Sequence, residues 1–438
     1  MKKILISFII SVLSNASFAQ SNEILAKKFI SHLSASQWDS AVLMFDEPLR
    51  DKVPSAALQQ VWNGVAQKLG KFESVLNAKS LGKGDVIDLS VGFEKGSIDF
   101  RCPFNAQQKM VGLFLPSQPK LKAKLKDTYQ DALYVNPAFI DQQEIILKSG
   151  GFEMGGTFTF PKNIGHFPVV IFVHGSGPND RDESIGPNKI FRDLAKGLAT
   201  QGIGSIRYDK RTYVHGGKMD INTLTLKEEV WDDATAAIAL AKTLKGTDST
   251  RIYIIGHSLG AMSAPQIAKS NPTLAGIVLM AGNARPLETL LVEQYEYLAN
   301  VDGKTDLDEQ KSISALKTQV KNLNKKILKT DSKDLPMGLS GNYWLALKAY
   351  NQVEVTKKLV LPILILQGQN DRQVTMTDFE IWQKALKHKK NVSFKAFVGL
   401  NHVFLEGSTP SDYDKRNNLP EEVLSTIKTW ILETAERK

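Results

Sequence analysis

The chain has one cysteine, Cys102, in 438 residues. A lone thiol excludes an intrachain disulfide and every metal or iron–sulfur site built from several cysteines. Long apolar runs are missing as well. The leading run, residues 4–13, has 10 residues, half of the roughly 20 that span a bilayer, so no stable membrane anchor is expected. Charge of one sign is also scarce, with 55 Lys+Arg against 46 Asp+Glu giving +9, or +7 without Lys2 and Lys3. Basic runs such as residues 387–390 carry neither interleaved aromatics nor a recognition motif, so no nucleic-acid partner is expected. No internal repeat or low-complexity tract interrupts the chain. What is present, 42% hydrophobic and 23% charged residues, is an ordinary globular composition. At about 100 to 200 residues per domain, the length suits two domains, or one enlarged by insertions.

Lys2 and Lys3 precede the apolar run, and Ser17 and Ala19 place small residues where a signal peptidase reads. Residues 1–19 therefore read as a signal peptide, and a periplasmic or secreted product starting at Gln20 is expected. No cysteine follows to take a lipid. Residues 20–118 begin with helical periodicity to about residue 70 and continue with strands at residues 85–94, 97–104 and 110–115, an α+β unit. Ile98, Phe100, Cys102 and Phe104 alternate along one strand face, which makes Cys102 a packed, inert thiol. The order of helices then meander resembles the cone-shaped accessory domains of the nuclear-transport-factor-like superfamily. Residues 119–130, rich in lysine, read as a solvated linker.

From residue 131 the rhythm changes. A hairpin at residues 144–148 and 157–161 is followed by six short apolar runs, at 168–173, 204–208, 251–255, 276–280, 361–366 and 392–397, separated by helical stretches. Such runs imply an α/β domain over residues 131–438, with a mostly parallel sheet covered on both faces. Between the fourth and fifth runs, residues 283–361 far exceed the dozen or so that a crossover needs. Helical patterns at 287–298, 306–328 and 343–350 make this insertion a helical cap.

The chemistry starts at Gly256-His257-Ser258-Leu259-Gly260, which follows one apolar run and opens a helical stretch. A strand, a sharp turn and a helix around G-x-S-x-G form a nucleophile elbow, with Ser258 held in a strained conformation and its hydroxyl exposed. Pro265, early in the helix, predicts a kink. Ser258 needs a base. Of seven histidines, His402 alone follows the last strand run in a loop that can return to Ser258. Asp371, just past the fifth run, is the best acceptor for its imidazole, with Asp378 as the alternative. The order Ser258, Asp371, His402 is that of an α/β-hydrolase. An oxyanion also needs N–H donors. Leu259 supplies one, and the glycine-rich turn at residues 174–178 the second, at Ser176.

The blocks HGSGPNDRD (174–182), RYDKRT (207–212), GHSLG (256–260), Asp371 with residues 373–375, and LNH (400–402) resemble the bacterial α/β-hydrolase carboxylesterases that share an N-terminal accessory domain. The resemblance, over residues 130–438, implies serine esterase chemistry on a small-molecule ester, with the triad at the positions chosen and no cofactor or metal. Asp209, Lys210 and Arg211 read as an ion network beside the site, with a direct substrate role as the alternative. His174, Tyr295, Tyr343 and Trp344 are candidates for a substrate pocket, against plain packing of the cap aromatics. A peptidase or amidase of the same fold, and a noncatalytic envelope-polymer binding protein, compete with the esterase. Homo-oligomerisation stays open.

Overall fold

A computed structural model describes residues 18–436 except 82–84, 95, 116–119, 122–128, 217–218, 221, 302, 306, 324–327, 331 and 333–334. The expected signal peptide lies outside the described residues up to residue 17, and most of the expected linker does too. The chain divides into two compact units, Met1–Thr128 with Leu307–Leu316, and Tyr129–Asp306 with Lys317–Lys438. Among the described residues no helix is long and apolar enough to cross a membrane.

Among the described residues of the first unit, four helices (Phe18–Ser34, Trp38–Val42, Glu47–Lys52, Ser55–Leu69) precede an antiparallel sheet of β1 (Phe72–Leu81), β2 (Val86–Phe93), β3 (Gly96–Pro103) and β4 (Lys120–Leu121). Alternation sorts the core: Ile87, Leu89 and Val91 pair with Cys102, Phe100 and Ile98 across the β2–β3 ladder and face the helices. Burial pushes the Cys102 thiol up to about 12, as suits a packed, unreactive side chain.

The strand expectations need three corrections. Residues 110–115 are not a continuous strand. Met110 exchanges backbone bonds with the turn at Met44 and Asp46, while Phe114 pairs with Arg101, so the segment only bridges its neighbours. The first strand, β1, escaped the sequence reading because two register shifts against β2 break its alternation. Lys120–Leu121, placed in the linker by composition, pairs with β3 instead.

The second unit is an eight-stranded sheet whose last six strands, in chain order, match the six apolar runs. After β5 (Ile140–Ser149) and β6 (Phe152–Pro161) come β7 (Phe167–Val173), a small hairpin of β8 (Ser184–Ile185) and β9 (Asn188–Lys189), β10 (Gly204–Tyr208), β11 (Thr247–His257), β12 (Gly276–Met280), β13 (Ile363–Gly368) and β14 (Val392–Phe397). The sheet order is β14-β13-β12-β11-β7-β10-β6-β5. All pairs from β10 to β14 are parallel, whereas β5 and β6 run antiparallel at one edge. Gly150 and Gly151, both with positive φ, make the two-residue turn of that edge hairpin.

One parity of each central strand (Val170, Phe172, Tyr253, Ile255, Val278, Met280) packs with the helices Ile190–Thr200 and Glu421–Glu436. On the other face lie the helices Asp232–Ala241, Leu259–Ser270 and Met376–Leu386. A fully buried aliphatic or aromatic side chain contributes about 1.5–3 kcal/mol, so two covered faces explain why these strands read as unbroken apolar runs. Between β12 and β13 the insertion forms helices Leu287–Ala299, Leu307–Leu323, Gly341–Ala349 and Gln352–Lys358.

Candidate active site

β10 lies on one side of β7 and β11 on the other, so the winding reverses there and a crevice opens beyond the strands' carboxyl ends. Two backbone approaches that only glycine permits shape it. A Cβ on Gly256 would stand 2.3 Å from the Gly260 carbonyl oxygen, and one on Gly260 would stand 2.0 Å from that of Val173. The helix after Ser258 therefore starts hard against the end of β7. Ser258 sits between strand and helix at φ 52° and ψ −114°, a strained conformation for a residue with a side chain, and its N–H donates to the Met280 carbonyl at 2.9 Å. Gly260→Ala is expected to destabilise the protein by about 1–3 kcal/mol or more through overpacking, and to abolish labelling of Ser258 by a fluorophosphonate. A melting temperature and labelling yield equal to wild type would refute this account of the elbow.

Asp371 follows β13 and His402 follows β14. Gly368 lets these loops meet, since a Cβ there would lie 2.4 Å from the Leu400 carbonyl oxygen. Asn370 Nδ2 ties the Gly399 and Gly407 carbonyls, each at 3.1 Å. His402 Nδ1 and Asp371 Oδ2 are 2.8 Å apart, and both residues are buried. Gln367 Nε2 donates to the same oxygen at 2.9 Å, while the N–H groups of Gln373 and Val374 donate to Oδ1 at 2.8 and 2.9 Å. Four donors thus fix the carboxylate in position.

Leu259 heads its helix, where first-turn N–H groups lack an intrahelical acceptor. Ser176 lies exposed in the turn after β7, which Asn179 Nδ2 organises by donating to the carbonyls of Gly175, Ser176 and Gly177 at 3.1, 3.1 and 3.3 Å. A Cβ on Gly175 would come within 3.3 Å of Ser258 Cβ, so this turn borders Ser258.

Residues 168–407 match the family described as serine aminopeptidase, S33, and residues 26–113 match one described as a protein of unknown function, DUF3887. The chain is 33% identical over 409 residues to esterase EstD of Thermotoga maritima, covering 92% of this chain and 94% of that protein. It belongs to the serine aminopeptidase S33 family. Among solved structures, Est1E from Butyrivibrio proteoclasticus is 20% identical, over 67% of this chain and 99% of its own, at a TM-score of 0.45. The Pyrococcus furiosus esterase Pf2001 is 17% identical over 68% and 92%, also at 0.45.

The chain is thus a serine hydrolase, and in this S33-family fold several candidate residues do other work. Asp378, the alternative acceptor, accepts bonds from the Ala284 and Arg285 N–H groups, both at 2.9 Å, and pairs with the Arg285 guanidinium at 2.8 Å, so it anchors the start of the insertion. Trp344 has no exposed surface and donates to the Pro336 carbonyl. His174 is buried between the Phe191 and Tyr208 rings, and burial holds its pKa below the usual imidazole value. Both side chains are thus buried among their neighbours. Tyr343 is buried with its hydroxyl 2.6 Å from Glu229 Oε2, and Tyr295 is buried on the helix Leu287–Ala299. At Pro265 the helix continues, but Tyr350 of the insertion donates to the Met262 carbonyl at 2.6 Å and also bonds the Gln266 backbone, entering the ladder beside the proline.

Other residues escaped the sequence reading. Glu183 Oε1 accepts from the Gly175 N–H at 2.7 Å and lies 3.0 Å from His257 Nδ1, while His257 Nε2 meets the His402 carbonyl at 2.9 Å. One buried carboxylate and one imidazole therefore link the turn after β7, the elbow and the His402 loop. Burial opposes charge on His257, but Glu183, the His402 carbonyl and Asp371 together raise the pKa above the usual imidazole value. Glu183 directly follows the HGSGPNDRD block, yet its partner is 74 positions away and no local pattern announces the contact. Asp209, Lys210 and Arg211 pair with Arg181, Glu229 and Asp233 in turn.

Proposed function

We propose that this hydrolase is a carboxylesterase for small esters of short to medium acyl chain, with Ser258 as nucleophile, His402 as general base and acid, and Asp371 as the acceptor that fixes the imidazole. The observation that carries the reading is the 2.8 Å pair of His402 Nδ1 with Asp371 Oδ2, on strand ends beside the strained Ser258 elbow. With Nδ1 protonated toward Asp371, Nε2 is left to accept the Ser258 proton as Oγ attacks the ester carbonyl. The oxyanion is held by the N–H groups of Leu259 and Ser176. Collapse expels the alcohol, protonated by His402. Water activated by His402 then attacks the acyl-enzyme and frees Ser258. Support also comes from the 33% identical relative, an esterase by name.

The family description favours a second reading, cleavage of aminoacyl amides by the same residues. p-Nitrophenyl esters of increasing acyl length, run beside aminoacyl p-nitroanilides, separate the two. Ester turnover falling off at long chains, with little amide turnover, is expected; amide turnover without ester turnover would reverse the order. We further propose export through a signal peptide at residues 1–19, and a nuclear-transport-factor-like cone for the N-terminal unit, which its helices followed by an antiparallel sheet support.

A further inference from the structure

Lys210 follows β10, is buried, and its Nζ makes two contacts of different kinds. It donates to the Gly175 carbonyl at 2.8 Å and to Glu229 Oε1 at 2.6 Å. An ion pair serving stability alone has no need of a backbone carbonyl in the turn that borders Ser258. No described peptide bond is cis, so the C=O of Gly175 and the N–H of Ser176, which belong to one planar unit, point in opposite directions. A donor fixed on the oxygen therefore aims the N–H away from Lys210. A cation at the oxygen also draws electron density from the amide and strengthens its N–H as a donor. Asn179 Nδ2 shares the same oxygen at 3.1 Å, and Asn179 in turn accepts from the Lys210 N–H at 3.0 Å, so the two supports are tied together.

Glu229 holds Lys210 from behind. It lies in a single π-helical turn, Lys227–Trp231, an irregularity that is often found at functional positions. Its second oxygen, Oε2, accepts from the Tyr343 hydroxyl at 2.6 Å, and Tyr343 belongs to the insertion helix Gly341–Ala349. Burial and the Glu229 charge raise the Tyr343 pKa well above the ordinary phenol value, so the hydroxyl stays a donor.

We propose that Lys210 is a positioning residue of the oxyanion hole, clamping the Gly175–Ser176 peptide so that the Ser176 N–H faces the developing oxyanion, with Glu229 and Tyr343 tying this clamp to the insertion. The proposal rests on the reading of Ser258 and Ser176 given above. It separates Lys210 from Arg211 and Asp209, whose contacts do not include this carbonyl.

The test compares wild type, Lys210→Met, Lys210→Arg and Tyr343→Phe, all checked for folding by circular dichroism. Steady-state kcat and KM are measured on a p-nitrophenyl ester, and inhibition by an alkyl boronic acid, whose tetrahedral adduct with serine mimics the oxyanion, is measured in parallel. Lys210→Met is expected to lose about tenfold to a hundredfold in kcat, short of or equal to the loss of a whole oxyanion donor, with KM little changed. Boronate affinity should fall by the same factor. Lys210→Arg should recover part of both, and Tyr343→Phe should lose a few-fold in both. A folded Lys210→Met enzyme with kcat and boronate affinity within twofold of wild type overturns the clamp, and so does a kcat loss with boronate binding intact. If Lys210→Met does not fold, Tyr343→Phe decides by the same two readings. Wild type inactive on esters and amides alike would end the hydrolase mechanism and the clamp with it, whereas active wild type beside an equally active Lys210→Met protein removes only the clamp.

Discussion

Ser258→Ala is expected to lower kcat by about 10⁶, or roughly 8 kcal/mol of transition-state stabilisation, with KM nearly unchanged. The size follows from what the residue does. Without Oγ no acyl-enzyme forms, and His402 and Asp371 have nothing to activate, so the whole unit fails together. What survives is binding and the oxyanion donors, which leave some acceleration over water. Alanine removes only Oγ and keeps the Cβ that the backbone conformation at φ 52° already accommodates, so the fold should be unaffected. Turnover of p-nitrophenyl acetate by the purified variant, together with fluorophosphonate labelling, provides the check. Near-normal turnover would mean that another residue is the nucleophile.

Asp371→Asn should cost about 10⁴ in kcat. The reason lies in its four donors. Oδ1 faces the N–H groups of Gln373 and Val374, which cannot be turned into acceptors, so the new amide must keep its oxygen there. Its NH₂ then falls at the Oδ2 position, opposite His402 Nδ1 and Gln367 Nε2. Gln367 Nε2 keeps its bonds to the Gly368 and Val374 carbonyls, at 3.2 and 2.8 Å, and only gives up the third, whereas His402 can answer by changing tautomer. That moves the proton to Nε2, the nitrogen that must accept from Ser258, and the base is disabled. KM should stay within a few-fold. Asp378→Asn is the control, because its Arg285 partnership predicts a loss of stability with kcat retained. A smaller kcat loss for Asp371→Asn than for Asp378→Asn would reverse the two assignments.

Much of this arrangement was readable without a fold. The strands of the parallel sheet announce themselves because burial on both faces removes the need for polar alternation, and β1 stays hidden because its register shifts destroy the period that a half-buried strand would show. The elbow is legible for a similar reason. Gly256, Ser258 and Gly260 are held to fixed spacing by one turn, so the constraint is written within five residues. Asp371 and His402 could be nominated because parallel strands all deliver their following loops to the same end of the sheet. The aromatic residues of the insertion were the opposite case. Composition showed Tyr343 and Trp344 beside one another, but which surface each presents depends on Glu229 and Pro336, far away in sequence or across a turn.

The sequence by itself determined the α/β-hydrolase architecture and the packing of the single thiol, and it nominated Ser258, Asp371 and His402 in that chain order, because each reading depends on periodicity, local turns or composition. Only the tertiary structure decided that Glu183 and His257 join three loops, that Asp378 serves the insertion, and that Lys210 grips the Gly175 carbonyl from 35 residues away. Those contacts cross between elements, and their geometry is set by how strands pair and helices pack over them. No spacing along the chain encodes it.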